Sequence, residues 1–122
     1  MKSNLLVRLC HIYKSCHSIL RSVDKYDDGD ILGDSKEVKA ILWDMGIIGE
    51  AAGLILKAHP EVISDHPDIP WSDMRRMRNR IMHGYDMINI TIVRQTIFED
   101  LPLLLPKLKN IIQKINKSAG PV

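Results

Sequence analysis

Apolar residues recur at positions 5, 9, 12, 16, 19 and 23. Alternating steps of three and four place all six on one side of a helix, so the pattern predicts an amphipathic helix from Ser3 to about Val23, with Ser3 as its N-cap. The acidic, glycine-bearing stretch 24–30 ends it and reads as a solvated loop. A second run, at 41, 45, 48, 52 and 55, predicts a helix from about Asp34 to His59, capped by Asp34 or Ser35 and stopped by Pro60. Gly46, Gly49 and Gly53 form a second stripe along it. Each glycine costs about 1 kcal/mol of helix propensity relative to alanine. Three on one stripe point to a backbone packed very close, either within the monomer or across a subunit interface. Pro60, Pro67 and Pro70 mark a connector that opens with a short helical turn through Ser64. A third main helix is expected from Pro70 or Trp71 to about Met82, with Gly84 as its terminator. Positions 89 to about 118 are again helical in period, interrupted by Pro102 and Pro106. Asp100 could cap a new helix there, so either one kinked helix or two helices meeting is expected. No segment alternates like a strand. The expected fold is all-α, an up-and-down bundle of four to five helices, in a single domain over residues 1–122.

With 122 residues, the chain is long enough to bury a core without staples. Hydrophobic residues make up 45% and charged residues 26%, a globular balance. No apolar run reaches membrane-spanning length and no signal-peptide pattern opens the chain, so a soluble, cytoplasmic protein is expected. Two cysteines are too few for a disulfide framework. Cys10, His11, Cys16 and His17 match no zinc spacing, Cys16 fits the core stripe, and neither metal nor cofactor is expected. His59 and His66, beside the proline connector, read as surface residues. Six scattered aromatics argue against base-stacking platforms. The phosphate-cradling glycine motifs are absent.

A formal charge of +2 names no partner, but its distribution does. Four arginines, Arg75, Arg76, Arg78 and Arg80, fall within six residues, with no acid between Asp73 and Asp86. Phosphate is the natural ligand for such forked donors. On a helical wheel Arg76, Asn79, Arg80 and His83 share one face, while Arg78 falls with Met74, Met77 and Ile81. A buried arginine needs a partner. Either the helix unwinds near Gly84, or Arg78 lies at a seam and reaches a carboxylate. Glu50, set within an apolar run, is the candidate carboxylate. His83 could move a proton at a ribose 2′-hydroxyl or a 5′-oxygen, an arginine could stabilise charge on the phosphate, and Asn79 could fix the His83 ring or bind a phosphate oxygen. The same residues also describe a basic helix end with a capping histidine. Lysines 107, 109, 114 and 117 make the C-terminal part basic, as a solvated face or a contact for RNA or a partner.

The string Arg78-Asn79-Arg80-Ile81-Met82-His83-Gly84-Tyr85 resembles the HepT-like branch of the HEPN superfamily, whose pattern is Arg, a polar residue, three more residues, His, any residue, Tyr. Residues 48–52, 66–71 and 100–102 resemble other parts of that family, and the likeness spans about 38 to 112. The resemblance implies a two-fold homodimer in which the motifs of both subunits line one cleft. It implies a metal-independent endoribonuclease, the toxin of a type VII-like HEPN/MNT toxin–antitoxin pair that cleaves tRNA or mRNA. Carried over, Arg78 and His83 are catalytic and Asn79 is the polar helper. Tyr85 is the site of AMPylation by a cognate minimal nucleotidyltransferase antitoxin, which silences the toxin. Arg75, Arg76 and Arg80 are expected to bind RNA phosphates. The alternative is a non-catalytic helical dimer that binds a nucleotidyltransferase or a nucleotide.

Overall fold

The computed structural model describes residues 2–24, 36–83 and 89–119, with side chains described for 4–24, 36–81 and 89–117. The helix expected to be capped by Ser3 already begins at Lys2, so Ser3 lies inside it and is not its N-cap. The caps expected at Asp34 and Ser35, the loop after residue 24, the terminator Gly84 and the motif residue Tyr85 lie outside the described residues.

Among the described residues six α-helices follow in order: α1 (Lys2–Ser22), α2 (Lys36–Ala58), a short α3 (Pro60–Asp65), α4 (Trp71–His83), α5 (Ile90–Gln95) and α6 (Leu101–Ala119). No strand occurs among the described residues. The α1 stripe at 5, 9, 12, 16, 19 and 23 is buried throughout, as are Ile41, Met45, Ile48, Ala52 and Ile55 of α2. With Ile97, Leu101, Leu104, Leu108 and Ile111 they form one continuous core. The chain is thus an all-α bundle in which α2 lies between α1 and α4, and α6 closes on α1.

The last segment is helical without a break from Ile90 to Ala119. Between α5 and α6 the chain stays helical through a π turn over Thr96–Asp100, where Leu101 N–H donates to Thr96 carbonyl oxygen five residues back. Pro102 supplies the reason. Its ring would strike the carbonyl four residues earlier in an unbroken α-helix, and one wide turn relieves that clash. Thr96 assists by donating its buried hydroxyl to the Ile92 carbonyl at 2.9 Å. Asp100 ends this wide turn and caps no separate helix. Pro106 lies within α6 itself.

The proline connector is tightly tied. Pro60 opens α3 at its first turn, and Trp71 is buried with Nε1 donating to the His66 carbonyl at 3.0 Å. His59 departs from expectation. It is only 7% exposed, with Nδ1 3.4 Å from Glu61 Oε1, because the α2–α3 corner folds it under the chain.

Candidate active site

Helix α4 lies against α2 at a separation that only glycine permits. A Cβ on Gly49 would overlap Cβ of Arg78 and stand 2.6 Å from the Met74 carbonyl oxygen. A Cβ on Gly53 would meet the side-chain methylenes of Arg75 at 3.4 Å, an ordinary contact. Gly49 thus meets residue 78 and Gly53 residue 75, so α2 and α4 run antiparallel. Gly46 is different, with nothing within 4 Å of where its Cβ would lie. One member of the glycine stripe serves close packing inside the monomer, and another faces open space.

That close approach places Arg78 at the α2–α4 seam. It is half-buried, and its Nε lies 2.8 Å from Oε2 of Glu50. The Glu50 side chain is 54% exposed, so the pair is worth at most about 1 kcal/mol in stability. Its larger effect is orientation. One of the five guanidinium N–H donors is committed to the carboxylate, and the other four remain for a ligand.

Arg78 faces a groove of about 790 Å³ between α1, α2 and α4. Ile47, Ala51 and Leu54 line its apolar part, while Arg8, Lys39, Glu50 and Arg78 supply charge. Trp43 rises from it, 74% exposed. Sequence reading missed this groove. The signal was an α2 face carrying Lys39, Trp43, Gly46, Glu50 and Leu54 at helical spacing, opposite the core stripe.

The other motif residues are spread around α4. Arg75, Arg76, Asn79 and Arg80 are exposed. Arg76 pairs with Asp73 of the preceding turn. Arg76 and Arg80 border a second depression, toward α5 and α6, where Lys107 Nζ lies 3.1 Å from the Asp68 carbonyl oxygen. Arg78 therefore stands apart from Arg76 and Arg80. His83 is the last residue of α4, its side chain outside the described set. Five residues at about 100° each set Arg78 and His83 roughly 140° apart around the helix.

Elsewhere, burial and the nearby Asp44 push the Cys16 thiol up to about 12. Asp44 itself titrates above its ordinary 3.8 because it is partly buried, an effect opposed by a hydrogen bond from Ser18. Among the described residues no three His, Cys, Asp or Glu side chains gather closely enough to hold a metal. No described helix is long and apolar enough to cross a membrane.

An all-α bundle with an arginine and a histidine five positions apart on one helix, beside an open groove, is the arrangement expected of a HEPN-type domain. The chain belongs to the family described as Ribonuclease HepT-like, whose model matches residues 12–115. It is 30% identical to the "Putative RNase TTE0752" of Caldanaerobacter subterraneus subsp. tengcongensis, over 85% of this chain and 90% of that protein. It is 34% identical to the "Probable ribonuclease HepT" of Thermococcus cleftensis, over 67% of this chain and 72% of the relative. It is 28% identical to the "Putative RNase MJ0127" of Methanocaldococcus jannaschii, over 93% and 92%. No solved structure matches it.

Proposed function

We propose that this protein is a metal-independent endoribonuclease that works as a homodimer and is the toxin of a HEPN/MNT pair. The observation that carries the reading is Arg78, anchored by Glu50 with its remaining donors free beside an open groove, on the helix that ends in His83. In this reaction the ribose 2′-hydroxyl attacks the adjacent phosphorus and the 5′-oxygen leaves, giving a cyclic phosphate and a 5′-hydroxyl. Arg78 stabilises charge on the phosphoryl oxygens. A histidine takes the 2′ proton and a histidine returns one to the 5′-oxygen.

One chain offers a single motif histidine, and the two-fold supplies a second. The exposed face of α2 is self-complementary in a way that suits this. Lys39 and Glu50 are equidistant from the point between residues 44 and 45, and so are Trp43 and Gly46. Two antiparallel α2 helices crossing there would set Lys39 of each copy opposite the partner's Glu50. Each Trp43 would sit over the hollow at the partner's Gly46, an isologous contact that covers part of the α2 wall of the groove and leaves its α1 and α4 sides, with Arg8 and Arg78, to the RNA. Because α4 runs antiparallel to α2, the five residues from Arg78 to His83 carry its backbone about 7.5 Å toward that same level. The two α4 C-terminal ends then converge on the two-fold, which removes the difficulty that Arg78 and His83 diverge around one helix.

Tyr85, two residues past His83, is the proposed site of AMPylation by a minimal nucleotidyltransferase partner. Added phosphate charge there would occupy the arginines that RNA needs. The test is digestion of RNA in EDTA by wild type, Arg78→Ala and His83→Ala. Cleavage by wild type alone, leaving cyclic-phosphate ends, is expected. No cleavage by any of the three would leave a helical dimer that binds a partner or a nucleotide. Intact mass after co-expression with the partner nucleotidyltransferase reads the modification, and Tyr85→Phe should carry none.

A further inference from the structure

Two of the four α4 arginines and one α6 lysine are neutralised within the fold. Arg78 is paired with Glu50, Arg76 with Asp73 and Lys107 with Asp68. Helix α1 differs. Over Lys2–Ser22 it carries Lys2, Arg8, Lys14 and Arg21 with His11 and His17, and no acidic residue. Arg8, Lys14 and Arg21 make no ion pair among the described residues. On the wheel His11, Lys14, His17 and Arg21 fall within an arc of about 120°, centred opposite the buried stripe. All four are exposed. Asp44 reaches α1 from α2, but it is half-buried against Ser18 and Cys16.

This face joins the Arg78 groove. Arg8 and His11 line the groove itself, and the next depression along α1 is lined by Tyr13, Lys14, His17 and Arg21. The rings of Tyr13 and His17 lie 15° from parallel with centroids 6.2 Å apart. From Arg8 to Arg21 the helix rises about 20 Å. The result is a set of donors that begins at Arg8 in the groove and winds through His11 and Lys14 to Arg21, with no carboxylate within α1 and the exposed Asp24 just past its end.

We propose that α1, through Arg8 at the groove and Lys14 and Arg21 on its exposed face, is a phosphate track that holds the RNA strand running out of the Arg78 groove. The proposal rests on the ribonuclease reading above and adds a binding surface to it. The contacts are with backbone phosphate, so the track is blind to base sequence and its contribution is salt-dependent.

The experiment measures anisotropy of a fluorescein-labelled single-stranded oligouridylate between about 50 and 200 mM KCl. The parent is the full chain with His83→Ala, so that RNA stays intact. Into it go either Arg8→Gln, Lys14→Gln and Arg21→Gln, or a charge-matched control on α6, Lys109→Gln, Lys114→Gln and Lys117→Gln. Circular dichroism confirms that both remain folded. Three lost phosphate contacts on a single strand should flatten the log–log salt slope by about 2, while the control loses less than half of that. Equal slopes for parent and α1 variant, or equal losses in variant and control, overturn the track. If wild type still cuts RNA in that case, the ribonuclease reading stands. A parent that binds no RNA also overturns the track, and a wild type that cuts none removes the ribonuclease reading with it.

Discussion

Two glycines one turn apart on α2 should respond to alanine with opposite signs. In an open helix interior, Gly→Ala gains about 1 kcal/mol of propensity. At Gly49 the new methyl group has no room, because it would overlap Cβ of Arg78 and stand 2.6 Å from the Met74 carbonyl oxygen. Backbone and Cβ cannot step aside as a flexible side-chain end would. Helices α2 and α4 must separate, and overpacking of this kind costs about 2–3 kcal/mol. The net expectation is a loss of roughly 1–2 kcal/mol, or a melting temperature lower by about 4–8 °C for a chain of this size. Gly46→Ala meets nothing within 4 Å. Compared in a Trp43→Ala background, so that the proposed association between copies does not enter, it should stabilise by about 0.5–1 kcal/mol. Thermal melts and urea titrations read both effects. RNA cleavage should also fall in Gly49→Ala, since Arg78 and Glu50 move apart with the helices. A Gly49→Ala protein that melts above wild type would refute the packing argument.

Glu50→Gln removes the charge that orients Arg78, so melting should shift by less than the equivalent of about 1 kcal/mol while RNA cleavage drops on the order of tenfold or more. A large melting loss with cleavage unchanged would contradict that division of roles. Asp44 has a folded pKa raised by burial, so the folded state binds its proton more tightly than the unfolded chain does. It therefore lowers stability above its folded pKa, and that penalty fades as pH falls toward the ordinary 3.8. Asp44→Asn should melt higher than wild type at pH 7, with the difference shrinking in acid; a lower melt at pH 7 counts against the sign. Cys16, with its thiol near 12, should react with a disulfide reagent at pH 8 about a thousandfold more slowly than an ordinary cysteine, so native protein should show one accessible thiol, the half-buried Cys10, and denatured protein two. Trp71→Phe loses the bond to the His66 carbonyl and should cost about 1 kcal/mol in urea titration, through the connector that starts α4.

Much of this molecule can be read along the chain because helix periodicity is local. The α1 stripe, the α2 stripe and the extent of α4 follow from spacing and from the prolines that start and stop each segment. The motif string is local too, which is why the family could be recognised from residues 78–85 with Glu50 upstream. Four features had to wait for tertiary contacts. Gly46 and Gly49 are alike in propensity, and only the position of α4 shows that one is packed and the other open. His59 is polar beside a proline, yet a turn between two helices buries it. The π turn at 96–100 keeps the segment helical throughout, where the two prolines allowed two separate helices. The four arginines of α4 look like one cluster in the sequence, but the packing of α4 on α2 sends Arg78 to Glu50 and leaves Arg76 and Arg80 on the side facing α5 and α6. Local spacing determines which side of a helix a residue occupies. What that side meets is decided by segments far away in the chain, and no pattern within one helix encodes it.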